Sequence, residues 1–193
     1  MKTIDIDRIS TVVDIRRDDL RVVTSGNCAA PLRVLGAFDA VVREYRLHLL
    51  NAPRGIPDRP GVMFETAFVG AGMRGSERLV YFPCRLSHVP MMYGSRLDVD
   101  VVIAHVSPPH DGKVALGLEV NLMPAAIAAC KSNGGVVIGQ VNRQMPYTFG
   151  DGELDVAVFD ALIEVDEPVL AHTPPERDTS AAAGGMTRVD SAA

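Results

Sequence analysis

The sequence contains no tryptophan, and aromatic residues make up only 5% of its 193 residues. An aromatic-rich core is therefore excluded, and the buried residues must be mainly valine, leucine, isoleucine and alanine. Only three cysteines are present, Cys28, Cys84 and Cys130, and none is in C-x-x-C spacing. An odd number of widely separated cysteines argues against a disulfide framework and a structural zinc site, and we predict no bound metal.

The sequence also lacks basic clusters and long apolar runs. Its 19 lysines and arginines are outnumbered by 24 aspartates and glutamates, which gives a formal net charge of −5. This balance argues against a surface for nucleic acid or anionic membranes. No apolar run approaches the length of about 18 residues that spans a bilayer. The N-terminus has no signal-peptide h-region. We therefore expect a cytoplasmic protein that binds neither nucleic acid nor membrane.

The overall composition is that of a globular domain, with 47% hydrophobic and 22% charged residues. A chain of this length can bury a substantial core without a disulfide or metal. From Thr173 onward, proline, serine, alanine and glycine dominate, so little can be buried there. We predict one domain over residues 1–172 and a disordered tail over residues 173–193.

Short β-branched runs alternate with helix-like stretches along the domain. The predicted strands are 20–24, 46–50, 64–69, 79–82, 99–106, 136–141, 154–159 and 162–165, and the predicted helices are 31–45 and 122–130. This alternation predicts an α/β fold with a largely parallel sheet flanked by helices. The most apolar strand, 99–106, is expected to be central. Asp39 and Arg43, four residues apart in the first helix, are expected to pair in solvent.

Several predicted strands end in small or polar residues. These ends are Ser25-Gly26-Asn27, Asn51, Gly70-Ala71-Gly72, Ser107 and Gln140-Val141-Asn142. In parallel α/β sheets, ligands bind beyond the carboxyl ends of the strands. We therefore place the functional site at that edge of the sheet.

The segment that carries Gln140, Asn142 and Gln144 is the most informative of these ends. The three side chains alternate along an extended chain and should share one face. Amides donate hydrogen bonds without adding charge, which suits a thioester or a carboxylate. We predict Gln140, Asn142 and Asn27 as substrate or oxyanion contacts, and the alternative is a polar strand end at the surface.

Two motifs are better explained by ordinary structure than by a cofactor site. Gly70–Gly75 matches G-x-G-x-x-G, but only three residues separate it from the next strand. A glycine turn is favoured, because a dinucleotide fingerprint needs a following helix. His105, His110 and Asp111 are favoured as core or loop residues rather than metal ligands. His88 has no evident serine or cysteine partner for a triad.

Cys28 and Glu119 are two further candidates for a catalytic role. Cys28 precedes a predicted helix, where a thiolate would be stabilised. Glu119 is a carboxylate in an apolar segment, where its pKa would be raised. The favoured interpretations are a small core cysteine and a glutamate paired with an arginine.

Four blocks of sequence together resemble one family. They are Ser25–Pro31, Val102–Gly112, Gly139–Gly152 and Ile163–Pro168, and the resemblance extends over about residues 20–170. The chain is similar to the N-terminal domain of the acetyl-CoA hydrolase/transferase group of class I CoA-transferases, which includes 4-hydroxybutyrate CoA-transferase. The region after Gly72 looks shorter than in that family.

The resemblance implies an enzyme of two α/β domains with the active site between them. It further implies that a glutamate of the second domain attacks an acyl-CoA thioester, and no residue of this chain matches that glutamate. Coenzyme A is then a substrate carried as short acyl-CoA, and the partners are a C-terminal domain or subunit, acyl-CoA and a carboxylic acid, in an oligomer. The candidate coenzyme A contacts are Gly26, Asn27, Gln140, Asn142 and Gln144.

Two other functions stay open from the sequence alone. One is a non-catalytic protein, derived from the family, that binds CoA esters or serves as a scaffold. The other is a thioesterase that needs no partner and uses Cys28 or Glu119.

Overall fold

A seven-stranded parallel sheet organises the protein. The computed structural model describes residues 3–14 and 17–171, so the predicted tail over 173–193 lies outside the described residues. The strands in chain order are β1 (Leu20–Thr24), β2 (Tyr45–His48), β3 (Val62–Thr66), β4 (Leu79–Tyr81), β5 (Val101–Val106), β6 (Lys113–Ala115), β7 (Val136–Asn142), β8 (Glu153–Asp155) and β9 (Ala161–Val165). The main sheet has the order β4-β3-β2-β1-β5-β7-β9, with all its pairs parallel, and β6 pairs with β8 in a small antiparallel sheet. The predicted α/β fold is confirmed.

Helices cover the sheet on both faces. They are α1 (Leu32–Val41), the single turn α2 (Val89–Met92) and α3 (Met123–Ser132). One core cluster joins α1 to one face of the sheet, and the other joins α3 to the opposite face. Because all six residues of β5 are buried, alternate residues of this strand enter the two clusters. The strand lies beside the middle strand β1, as a continuous apolar run predicts.

The first helix ends earlier than its sequence predicts. It stops at Val41, and Val42 is already extended. The guanidinium of Arg59 donates to the carbonyls of Asp39, Val42 and Arg43 at 3.1, 2.6 and 2.8 Å, which satisfies groups that a helix end leaves unpaired. Asp39 also pairs with Arg59 at 3.0 Å. The expected Asp39–Arg43 pair is wrong, because Arg43 lies beyond the helix.

The strand order reverses between β1 and β5. From β1 the chain runs outward through β2, β3 and β4, and then returns to the other side of β1 to build β5, β7 and β9. A crevice at the carboxyl ends of the strands is expected at such a switch point. The polar strand ends predicted to share one edge do so, because all seven strands are parallel.

The two outer strands of the sheet differ. At β9, Thr3 forms a parallel bridge with Leu162, and the Ile4 amide donates to the Leu162 carbonyl at 3.0 Å. At the opposite edge, β4 is only three residues long. The predicted strand 154–159 is instead β8 followed by a 3₁₀ turn over Val156–Val158.

Candidate active site at the carboxyl edge of the sheet

Two asparagines hold the loops that follow β1 and β2 together. The Asn51 amide nitrogen donates to the Asn27 side-chain oxygen at 3.0 Å, and the Asn27 backbone N–H donates to the Asn51 carbonyl at 3.3 Å. Both residues have left-handed backbones, with φ of 49° and 47°. Asparagine tolerates this conformation better than most side chains, and such strain concentrates at functional sites.

Glycines allow these loops to pack closely. A Cβ atom on Gly26 would overlap the Leu50 carbonyl, and one on Gly70 or Gly72 would overlap the backbone of Ala52 or Pro53. Gly70 and Gly72 therefore belong to a packing turn between β3 and β4. No helix separates this turn from β4, so the structure agrees with the glycine-turn interpretation.

An open pocket of about 370 Å³ lies against the paired asparagines. Asn27, Cys28, Asn51, Arg54 and Leu170 are among its lining residues, and we call it the Arg54 pocket. Cys28 is half-buried in the 3₁₀ turn Asn27–Ala29. The pocket combines neutral amides with one guanidinium, a set of groups that binds carbonyls and anions.

Gln140, on β7, is completely buried and fully engaged in hydrogen bonds. Its side-chain oxygen accepts from the Val34 backbone N–H at 3.0 Å, in the first turn of α1. Its nitrogen donates to His105 Nε2 at 3.3 Å and to Glu167 Oε1 at 3.1 Å. Gln140 thus joins α1, β5 and the segment after β9.

His105 is held as a neutral ring by this arrangement. Its Nδ1 lies 3.2 Å from the Ala29 carbonyl, which can only accept, so the proton is assigned to Nδ1 and Nε2 accepts from Gln140. Burial lowers the pKa of His105 to about 4, and the hydrogen bond to Ala29 opposes this shift. The expectation of a core histidine is consistent with these contacts.

The other two predicted amides also contact the segment after β9. Asn142 donates to the Glu167 carbonyl at 2.8 Å and accepts from the Glu167 N–H at 3.2 Å. Gln144 donates to Asp166 Oδ1 at 2.9 Å. Gln140 and Asn142 are buried and Gln144 is exposed, and all three amides form hydrogen bonds with residues 166–167 of the same chain. Their role toward a ligand stays a prediction.

A second pocket at this edge, of about 450 Å³, has Glu167 in its wall. Arg33, Leu32 and His105 also line it. Arg33 Nη1 lies 3.9 Å from Glu167 Oε2, a loose and partly exposed ion pair. Sequence reasoning missed Arg33 and Arg54 as site residues. Arg33 follows the loop after β1, and Arg54 lies in the loop after β2. This closeness to the ends of two strands is the signal in the sequence that could have identified them.

Glu119 is buried and has a different partner from the expected one. It is 8% exposed and accepts a hydrogen bond from the Asn121 amide at 2.8 Å. Burial raises the pKa of this carboxyl, and the bond from Asn121 opposes the shift. The expected pairing with an arginine is wrong within the described residues.

The remaining candidates do not assemble into a metal or membrane feature in the described ranges. His110 and Asp111 are exposed in the turn before β6, and His88 lies in the 3₁₀ turn Leu86–His88. Residues 3–14 and 17–171 contain no group of three or more His, Cys, Asp or Glu arranged to hold a metal. The helices in these ranges are too short to cross a bilayer.

Comparisons with known proteins show relatives of this chain in sequence and in fold. The chain is 34% identical over 169 residues to the 4-hydroxybutyrate coenzyme A transferase of Clostridium kluyveri, covering 81% of this chain and 38% of that protein. In fold it is similar to RipA from Yersinia pestis, with a TM-score of 0.78 and 17% identity over 89% of this chain and 44% of the other. It is also similar to a 4-hydroxybutyrate CoA-transferase from Porphyromonas gingivalis, with a TM-score of 0.64 and 23% identity over 90% and 41%.

These relatives are all longer than this protein, which spans less than half of each. A family model described as the acetyl-CoA hydrolase/transferase N-terminal domain matches residues 61–174, more than half of the chain. The matched region contains β3 to β9 and every predicted residue of the amide segment. The chain therefore belongs to the acetyl-CoA hydrolase/transferase family.

Proposed function

We propose that this protein supplies one wall of a CoA-transferase or acyl-CoA hydrolase active site that acts on short acyl-CoA thioesters. The observation that carries the proposal is the placement of neutral amides and two arginines at the carboxyl edge, next to the β1/β5 switch point, in a chain of this family. Coenzyme A enters as a substrate, carried by the acyl-CoA, and the second substrate is a carboxylic acid.

The attacking carboxylate belongs to a second domain, on the same polypeptide or on a separate subunit. Attack on a thioester carbonyl develops negative charge on the carbonyl oxygen. Neutral hydrogen-bond donors that are already in position stabilise this charge. Asn27 and the backbone of Gly26 are our candidates for this task, because they lie at the end of β1 beside the Arg54 pocket. Gln140, Asn142 and Gln144 act indirectly, by holding residues 166–167 in place.

Reconstitution with a second domain tests the proposal. The protein is co-expressed with the remaining part of the Clostridium kluyveri relative, and formation of acetyl-CoA from acetate and 4-hydroxybutyryl-CoA is followed. We expect transfer that needs both parts. A stable complex that shows neither transfer nor hydrolysis, while the intact relative is active in the same assay, would contradict the proposal. The cytoplasmic location and the oligomer stay predictions.

A variant of Asn27 tests the proposed wall more closely. Asn27→Gly keeps the left-handed backbone and removes the amide, whereas Asn27→Ala also adds backbone strain. In the reconstituted enzyme we expect Asn27→Gly to lower kcat by about 10²-fold, the usual effect of losing one oxyanion donor. An unchanged kcat with an unchanged melting temperature would remove Asn27 from the mechanism.

A further inference from the structure

A third pocket opens on the other side of the end of β2. It has a volume of about 390 Å³ and is lined by Leu50, Leu86, Ser87, Pro90, Asn121 and Leu122. Leu50 and Leu122 belong to the core cluster on the α3 face of the sheet. We call this cavity the neutral pocket, because none of its lining side chains carries a charge.

The neutral pocket adjoins the proposed active site. Leu50 lines it, and the next residue, Asn51, lines the Arg54 pocket. The two pockets therefore lie on either side of the loop that begins at the carboxyl end of β2.

The pockets differ in the chemistry that they offer. Arg54 lines the Arg54 pocket, and Arg33 lines the pocket that contains Glu167. A guanidinium in the lining favours the binding of anionic groups. The neutral pocket instead offers four apolar side chains, one hydroxyl and one amide. Such a lining favours a short uncharged carbon chain, and Ser87 and Asn121 can hydrogen-bond a single polar group.

A buried carboxylate is hydrogen-bonded to one residue of this lining. The side-chain amide of Asn121, which lines the pocket, donates a hydrogen bond to Glu119 at 2.8 Å, and Glu119 is 8% exposed. A second negative charge brought into the pocket would meet no cationic lining residue and would be close to Glu119. Burial of such a charge without a partner is costly, so the pocket disfavours anionic chains.

We infer that the neutral pocket is the subsite for the acyl chain, and that Glu119 restricts it to uncharged acyl groups. This inference rests on the proposed function and names the residues that select its substrate. Monocarboxylic acyl groups enter the pocket, and dicarboxylic acyl groups, whose far end is a carboxylate, are rejected. Glu119 acts through the charge that it places behind Asn121, so it is a specificity residue and not a catalytic one.

A pair of thioesters that differ only in terminal charge provides the test. The full chain, labelled with ¹⁵N, is titrated with S-butyryl-N-acetylcysteamine and separately with its S-succinyl counterpart. We expect the butyryl compound to shift the backbone amide signals of Leu50, Ser87 and Leu122, and to bind roughly tenfold more tightly than the succinyl compound. Equal affinities, or shifts confined to other parts of the chain, would overturn the inference, as would the absence of any shift at millimolar concentration.

Two exposed leucines supply a matched pair of variants. Leu86 is 51% exposed and lines the pocket, whereas Leu118 is 46% exposed and does not. Leu86→Trp should fill part of the pocket and weaken butyryl binding by about tenfold. Leu118→Trp should leave the affinity unchanged. Equal effects of the two substitutions would assign the binding to a nonspecific apolar surface.

Replacement of the buried carboxylate tests the selectivity itself. Glu119→Gln keeps the size of the side chain and removes the charge. We expect succinyl binding to strengthen until it is within about threefold of butyryl binding, while butyryl binding stays unchanged. If the preference for butyryl persists in a folded Glu119→Gln variant, Glu119 does not select the substrate.

The outcome separates this inference from the proposed function. If the reconstituted enzyme transfers acyl groups and Leu86→Trp leaves its acyl preference unchanged, the subsite is wrong and the function stands. If the thioester binds in the neutral pocket while the reconstituted complex has no activity, the subsite stands and the function is wrong.

Discussion

Two buried histidines, His105 on β5 and His48 on β2, show how one residue type serves two different environments. Their exposures are 3% and 0%, and burial lowers the pKa of each to about 4. Both ring nitrogens of His105 are hydrogen-bonded, to Ala29 and Gln140. Neither ring nitrogen of His48 has a hydrogen-bond partner among the described residues.

His48 is held by aromatic contacts instead. Its ring stacks on Phe82 at a centroid distance of 5.9 Å and meets Tyr93 edge-on at 5.6 Å. The charge of Glu65 raises the pKa of His48, and the charge of Arg21 lowers it. The comparison teaches that burial is the main cause of the lowered pKa in both rings, whereas the hydrogen bonds to Ala29 and Gln140 make His105 part of a polar network.

The largest expected effect is a loss of stability in acid that both histidines cause. Each histidine is neutral in the folded protein. In the unfolded chain each has its ordinary pKa of about 6.5 and takes up a proton below that pH. Their contribution is therefore fully present above about pH 6.5 and is lost as the pH falls toward 4, at about 3 kcal/mol for each ring. Urea unfolding between pH 7 and pH 4 measures this slope. A flat profile in this range would show that the rings are accessible to protons in the folded protein.

The next effect is the loss of the network around His105. Gln140→Leu keeps the volume but leaves the Val34 N–H and His105 Nε2 without their partner. We expect the free energy of unfolding to fall by about 3 kcal/mol, because buried groups lose hydrogen bonds and stay buried. Urea denaturation at pH 7 gives this value. A loss below about 1 kcal/mol would mean that water replaces Gln140 in the network.

The smallest effect is expected at the histidine without hydrogen bonds. His48→Phe keeps the ring contacts and removes two unpaired nitrogens. Stability at pH 7 should be unchanged or rise by up to about 1 kcal/mol, and roughly half of the acid slope should disappear. The same two denaturation experiments measure both values. A loss of 2 kcal/mol or more would indicate that a bound water or polar group holds His48.

The sequence was sufficient to predict most of the sheet. Runs such as Val101–Val106 are buried on both faces, so their apolar character needs no periodicity to be recognised. The common carboxyl edge followed from the parallel arrangement. The end of α1 could not be predicted in this way. It depends on Arg59, which lies in a loop 17 residues beyond Val42 and donates to the Val42 carbonyl.

The contacts of the amide segment were not available from the sequence. Alternation correctly placed Gln140 and Asn142 on one side of β7, since both contact Glu167. It could not reveal that residues 166–167 cover that side, because the covering residues belong to a segment more than 20 positions away. The prediction of an arginine partner for Glu119 was wrong for a different reason, because the nearby Asn121, two residues along the chain, supplies its hydrogen bond.

The bridge between Thr3 and Leu162 has a consequence for association between molecules. An open strand edge is a template on which another chain can add a strand and start aggregation. The segment beginning at Thr3 occupies part of the β9 edge, and β4 offers only three residues for such pairing. Removing both Thr3 and Ile4 would free the longer edge, because the Ile4 amide also bonds to Leu162, so a protein without these two residues should polymerise more readily than one that keeps them.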